Sequence, residues 1–151
     1  MKLYLARHGD YTLNVNGVDI LSERGTKDVA HLSERIKSMN LHISCIWHSG
    51  KHRAEQTALL LAKGFISDQA PEAHPGLNPD DEVLSLASDL RHFNEDMLIV
   101  GHLPFLDKLV SQLLTGSDEN ILINFQTGTL ICLSQIDQVQ WVLDWGLTPN
   151  I

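Results

Sequence analysis

Three short apolar runs, Lys2–Arg7 (KLYLAR), Ile43–Trp47 (ISCIW) and Met97–Val100 (MLIV), are separated by stretches whose apolar residues recur every three to four positions. Runs this short and this apolar suit strands covered on both faces. Between them, Ser22–Met39 puts Val29, Leu32 and Ile36 on one helical stripe. Lys51–Lys63 is rich in good helix formers, and Asp80–His92 aligns Val83, Ala87 and Leu90. After the third run, Phe105, Leu106, Leu109, Val110, Leu113 and Leu114 repeat at helical spacing, with Gly116 placed to end that helix. Gly64–Asn78, with Pro71, Pro75 and Gly76, reads as the main loop. In the tail, Ile121–Phe125, Leu130–Leu133 and Gln140–Trp145 read as short strands, with turns at Thr127-Gly128 and Asp137-Gln138. Strands alternating with helices predict an α/β fold of three α/β/α layers, with a mostly parallel central sheet and an antiparallel C-terminal portion.

A chain of 151 residues without repeats or a linker fits a single domain spanning 1–151. Its net charge of −8 argues against nucleic acid or an anionic membrane as partner, since both require a basic footprint. No apolar stretch approaches the roughly 18 residues of a membrane span. MKLYLARHGD reaches Arg7 too early for a signal-peptide core, so the expected location is cytoplasmic. Cys45 and Cys132, each within an apolar run, read as buried reduced thiols. The charge is uneven. Residues 1–63 carry nine basic against six acidic residues, whereas 64–151 carry two against thirteen. A small-anion site would therefore draw its cations from the first half, although most single lysines simply solvate helix faces.

In parallel sheets ligands bind outside the carboxyl ends of the strands. The first strand ends in Arg7-His8-Gly9, the second in His48-Ser49 ahead of a helix opening with His52-Arg53, and the third in Gly101-His102. Two arginines and several histidines thus converge on one sheet edge. Arginine forks match phosphate oxygens, helix N-termini add N–H donors, and an imidazole both attacks phosphorus and leaves readily. The convergence suggests a phosphate site with a histidine nucleophile.

The motifs RHGD (Arg7–Asp10), LSERG (Leu21–Gly25), HSGKHRAEQTA (His48–Ala58), LNPDDE (Leu77–Glu82) and VGHLPFL (Val100–Leu106), in this order, resemble the histidine phosphatase superfamily, and within it the SixA-type phosphohistidine phosphatases. The resemblance implies His8 as a nucleophile that becomes a transient phosphohistidine. It implies Arg7 and Arg53 as clamps on the transferring oxygens, and His102 as a donor from the opposite side. Gly9 would let the backbone turn beside the nucleophile. Ser49 reads as a cap of the Arg53 helix, and Asp10 reads equally as a turn holder or an active group. The implied substrate is a phosphohistidine-bearing protein, such as a phosphorelay domain or phosphotransfer carrier, with phosphate as product and no cofactor.

A phosphate ester needs an acid to protonate its leaving oxygen. Asp80, Asp81 and Glu82 are candidates, but acids at a helix start ordinarily complement its dipole. A phosphohistidine relaxes this demand, because its distal nitrogen can be protonated beforehand so that imidazole leaves neutral. The short Gly64–Asn78 loop offers no cap over the site, which also favours a protein substrate. Two alternatives stand beside this reading: a small-molecule phosphomonoesterase or mutase using the Asp80–Glu82 acids, and a phosphoprotein-binding module without turnover. His31 and His92 fall on helix surfaces, and His42 and His74 on connections, whereas His48 and His52 are ambiguous neighbours of the site. Neither H-E-x-x-H nor paired C-x-x-C is present, so no metal site is expected, and there is no P-loop or dinucleotide fingerprint. Trp47, Trp141 and Trp145 read as packing residues.

Overall fold

In the computed structural model, which describes residues 1–149, neighbouring side chains along the central strands enter two different cores. The elements are β1 (Lys2–Arg7), β2 (Tyr11–Leu13), β3 (Asp19–Leu21), α1 (Glu23–Lys37), β4 (His42–Ile43), β5 (Cys45–His48) and α2 (His52–Ala62). There follow β6 (Ile66–Ser67), β7 (Glu72–Ala73), α3 (Leu84–Leu90), β8 (Met97–Gly101), α4 (Phe105–Thr115), β9 (Leu130–Ile136) and β10 (Gln140–Leu147). Leu3 and Leu5 of β1 pack with Met97, Ile99, Leu90, Phe105 and Leu109 on the α3–α4 side. Tyr4 and Ala6 pack with Leu98, Val100, Val29, Ile36, Ala58 and Leu61 on the α1–α2 side. That alternation on a doubly covered sheet makes the three layers expected.

The main sheet runs β10-β9-β1-β8-β5-β7. Pairings β1·β8, β8·β5 and β5·β7 are parallel, whereas β9 and β10 join antiparallel at the β1 edge. Because β1, β5 and β8 are parallel, Arg7, His48 and Gly101 finish on one sheet edge. Helix α1 starts at Ser22, whose hydroxyl accepts the Gly25 N–H, and α4 ends at Gly116 with φ 80°. No helix among the described residues is long and apolar enough to cross a membrane.

Three local expectations fail, and one element was not foreseen. Ile121–Phe125 forms no strand: both lateral positions beside β1 are taken by β8 and β9, and Phe125 instead buries its ring in the core. The Asp80–His92 helix shrinks to Leu84–Leu90, because Asp81 holds the Asn78 N–H in a turn and Glu82 accepts the Leu84 and Ser85 N–H groups at the helix start. The loop 64–78 contains the two-residue strands β6 and β7. A ribbon, β2–β3, rises directly after the first strand, its turn tied by Asn14 Oδ1, which accepts from the Asn16 and Val18 N–H groups. Cys132 is buried as expected, Cys45 is only partly so, and neither forms a disulfide.

Candidate active site

His8 follows β1, anchored by its N–H to the Gly101 carbonyl at 3.0 Å, and only 3% of it is exposed. Its Nδ1 lies 2.9 Å from the Gly9 carbonyl oxygen. A carbonyl only accepts, so Nδ1 carries the hydrogen and the lone pair is left on Nε2. Burial, reinforced by the positive charges of Arg53 and Arg7, pushes the His8 pKa down to about 4. The ring is therefore neutral, as an attacking nitrogen must be.

Arg7 ends β1 and donates from NH1 to the Phe125 carbonyl at 2.8 Å. Arg53, in the first turn of α2, lies 3.4 Å from Asp19 Oδ2 and stacks its guanidinium 5.2 Å over the Tyr11 ring. His102 follows β8, with its ring 5.0 Å from that of His8 and its Nε2 2.6 Å from Ser49 Oγ. Burial first, then the nearby His8, Arg53, Lys51 and Arg7, brings the His102 pKa down to about 3. Arg7 Nε, Arg53 Nε and His102 Nδ1 are all buried without a partner. Unmet buried polar atoms of this kind are costly, and an oxygen-rich anion supplies the acceptors that the two guanidinium nitrogens lack.

The four residues expected to carry chemistry, Arg7, His8, Arg53 and His102, are thus brought together. Gly9 is needed, but not for a turn. A Cβ there would sit 2.8 Å from Val29 Cγ2 and 3.2 Å from the Gly25 carbonyl, so helix α1 requires the close approach. Ser49 is not the cap of α2, whose N-cap is Lys51; its hydroxyl serves His102 instead. Asp10 accepts from Ser22 Oγ at 2.6 Å and so braces the start of α1. Asp80 is exposed, and the carboxylates of Asp81 and Glu82 bond to local backbone rather than to the site. His48 takes the Gly50 N–H on Nδ1, His52 is exposed, and His74 stacks on Trp47 at 3.7 Å. Sequence reasoning missed Tyr11, Asp19, Thr57 and the Phe125 carbonyl. Thr57 Oγ1 accepts the Gly9 N–H at 3.0 Å and donates to the Arg53 carbonyl at 2.8 Å, joining the β1 loop to α2. Among the described residues no group of three or more His, Cys, Asp or Glu side chains is arranged to hold a metal ion.

The sequence profile of the histidine phosphatase superfamily, branch 1, matches residues 3–78. A search of curated proteins finds no match. Among solved structures, the protein histidine phosphatase SixA complexed with tungstate superposes with a TM-score of 0.87 at 23% identity, covering 99% of this chain and 98% of that one. A protein of Agrobacterium tumefaciens assigned as phosphohistidine phosphatase SixA gives 0.79 at 20% identity, covering 98% and 97%. A phosphoserine phosphatase of Entamoeba histolytica in complex with 3-phosphoglyceric acid gives 0.74 at 17%, covering 96% and 95%. At such identities the likeness is one of fold. The profile match, which takes in half of the chain and with it Arg7, His8 and Arg53, assigns the family: the chain belongs to branch 1 of the histidine phosphatase superfamily.

Proposed function

We propose that the protein is a phosphatase that removes the phosphoryl group from phosphohistidine on another protein, through a covalent phosphohistidine on His8. The observation that carries this reading is the His8 Nδ1–H bond to the Gly9 carbonyl, which leaves the lone pair on Nε2 of a neutral ring that feels the charges of two arginines. In the first step Nε2 attacks phosphorus in line while Arg7 and Arg53 hold the equatorial oxygens. His102 donates from Nδ1, which requires Ser49 to donate its hydroxyl hydrogen to Nε2; Ser49 Oγ in turn accepts the Lys51 N–H at 3.3 Å. In the second step water hydrolyses the phosphoenzyme. The Nδ1 hydrogen on His8, retained throughout, lets that imidazole leave neutral.

The substrate class rests on leaving-group chemistry. Asp81 and Glu82 are occupied by backbone donors, and a phosphoramidate needs no acid at an oxygen. The experiment compares phosphate release from a phosphohistidine protein and from p-nitrophenyl phosphate, with His8→Ala as control and acid-labile phosphoenzyme trapping alongside. Preference for the phosphohistidine protein, lost in the variant, is expected. Preference for the ester would shift the reading to a small-molecule phosphatase, and release from neither would leave a binding module.

A further inference from the structure

The β2–β3 ribbon pairs Tyr11 with Leu21 and Leu13 with Asp19, so Tyr11, Leu13 and Asp19 share one face. That face adjoins the site. The Tyr11 ring meets His8 edge-on at 5.2 Å, and Asp19 reaches Arg53 through Oδ2 alone. Among the described residues nothing donates to Asp19 Oδ1; the side chain is 34% exposed, and Leu13 beside it is 66% exposed. A carboxylate at this place is a cost for any substrate whose leaving group becomes an anion, since it opposes both the phosphoryl charge and the departing one. Beyond holding Arg53, it is an asset to the transfer only when the leaving group presents an N–H or a positive charge.

Resting on the phosphohistidine reading, we infer that Asp19 is a specificity-determining residue, accepting the distal N–H of the substrate's imidazole while Tyr11 and Leu13 bed its ring. The transfer then runs between two similarly held imidazoles. The Gly9 carbonyl holds the distal N–H of His8, and Asp19 Oδ1 holds that of the substrate. The His8 Nε2 lone pair forms the new bond to phosphorus. The substrate P–N bond breaks, its electron pair stays on the departing nitrogen and cancels the positive charge of that ring, and the distal proton remains on the ring against Asp19.

The test is Asp19→Asn, which keeps the shape and an acceptor for Arg53 but removes the charge, with Asp19→Glu as the charge-retaining control. Circular dichroism checks the fold, and Asp19→Ser removes the same charge if the amide variant does not fold. We expect kcat/KM on the phosphohistidine protein to fall about tenfold or more and kcat/KM on p-nitrophenyl phosphate to rise about two- to tenfold, with Asp19→Glu recovering much of the wild-type preference. A parallel fall on both substrates would reduce Asp19 to a prop for Arg53 and overturn the inference, as would an unchanged phosphohistidine rate. If the wild-type protein releases no phosphate from phosphohistidine, the functional reading itself fails, an outcome visible before any variant is made.

Discussion

Ser49 Oγ lies 2.6 Å from His102 Nε2, a contact between residues 53 apart in the chain. Because a neutral imidazole has one N–H, this hydroxyl decides whether His102 can present a hydrogen on Nδ1. Ser49→Ala should lower kcat/KM by about tenfold or more on every substrate, and Ser49→Thr should recover most of it, a pattern that steady-state kinetics would read directly. An alanine variant of wild-type activity would show that His102 does not act through that hydrogen.

His8, with its pKa near 4, differs from an ordinary histidine at 6.5, and the sign of the pH effect follows from burial. Above pH 6.5 the ring is neutral in both folded and unfolded chains and contributes no pH dependence. Between 6.5 and 4 the unfolded chain takes up a proton that the folded chain refuses, so stability falls by up to about 1.4 kcal/mol per pH unit from this group. Urea midpoints measured at pH 7 and pH 5 should therefore separate less in His8→Ala than in the wild type. An NMR titration of the His8 ring should show no transition between pH 6 and 7; a midpoint there would contradict the neutral nucleophile.

Much of this arrangement was legible in the sequence because it rests on local periodicity. KLYLAR and MLIV alternate between two buried faces, parallel strands align their ends, and Gly116 closes a helix by left-handed geometry. The β2–β3 ribbon escaped because its strands are three residues long, although Asn16-Gly17 between YTL and VDIL is a turn signal, and Gly17 does adopt φ 75°. Ile121–Phe125 misled in the other direction. An apolar run can satisfy itself by burying Phe125 without finding a strand to pair with. Ser49 and Asp19 acquire their roles from contacts with His102 and Arg53, which no spacing rule reports.

Thr57 links the nucleophile loop to the Arg53 helix through a single hydroxyl that both accepts and donates. Thr57→Val keeps the volume but strands the buried Gly9 N–H. The expected cost is about 1–3 kcal/mol in unfolding free energy by urea titration. Because Gly9 also carries the carbonyl that fixes the His8 tautomer, kcat should fall as well, more than KM rises. An active variant that is merely less stable would mean that the tautomer is held without this brace.

Gly25 brings helix α1 directly against the chain that follows the nucleophile: a Cβ there would fall 2.0 Å from the Asp10 carbonyl oxygen. Backbone stands on both sides, so no side chain can swing aside to make room. Gly25→Ala must push the start of α1 away from residues 9–10, the segment whose carbonyl orients His8. A loss of about 3 kcal/mol or more is expected from chemical denaturation, with activity falling even where the variant remains folded. Gly17→Ala, at an exposed turn with nothing within 4 Å of the added atom, should cost only about 1 kcal/mol from its positive φ and leave phosphate release intact. Equal losses at the two glycines would show that conformational freedom, rather than the close approach to Asp10, is what α1 requires.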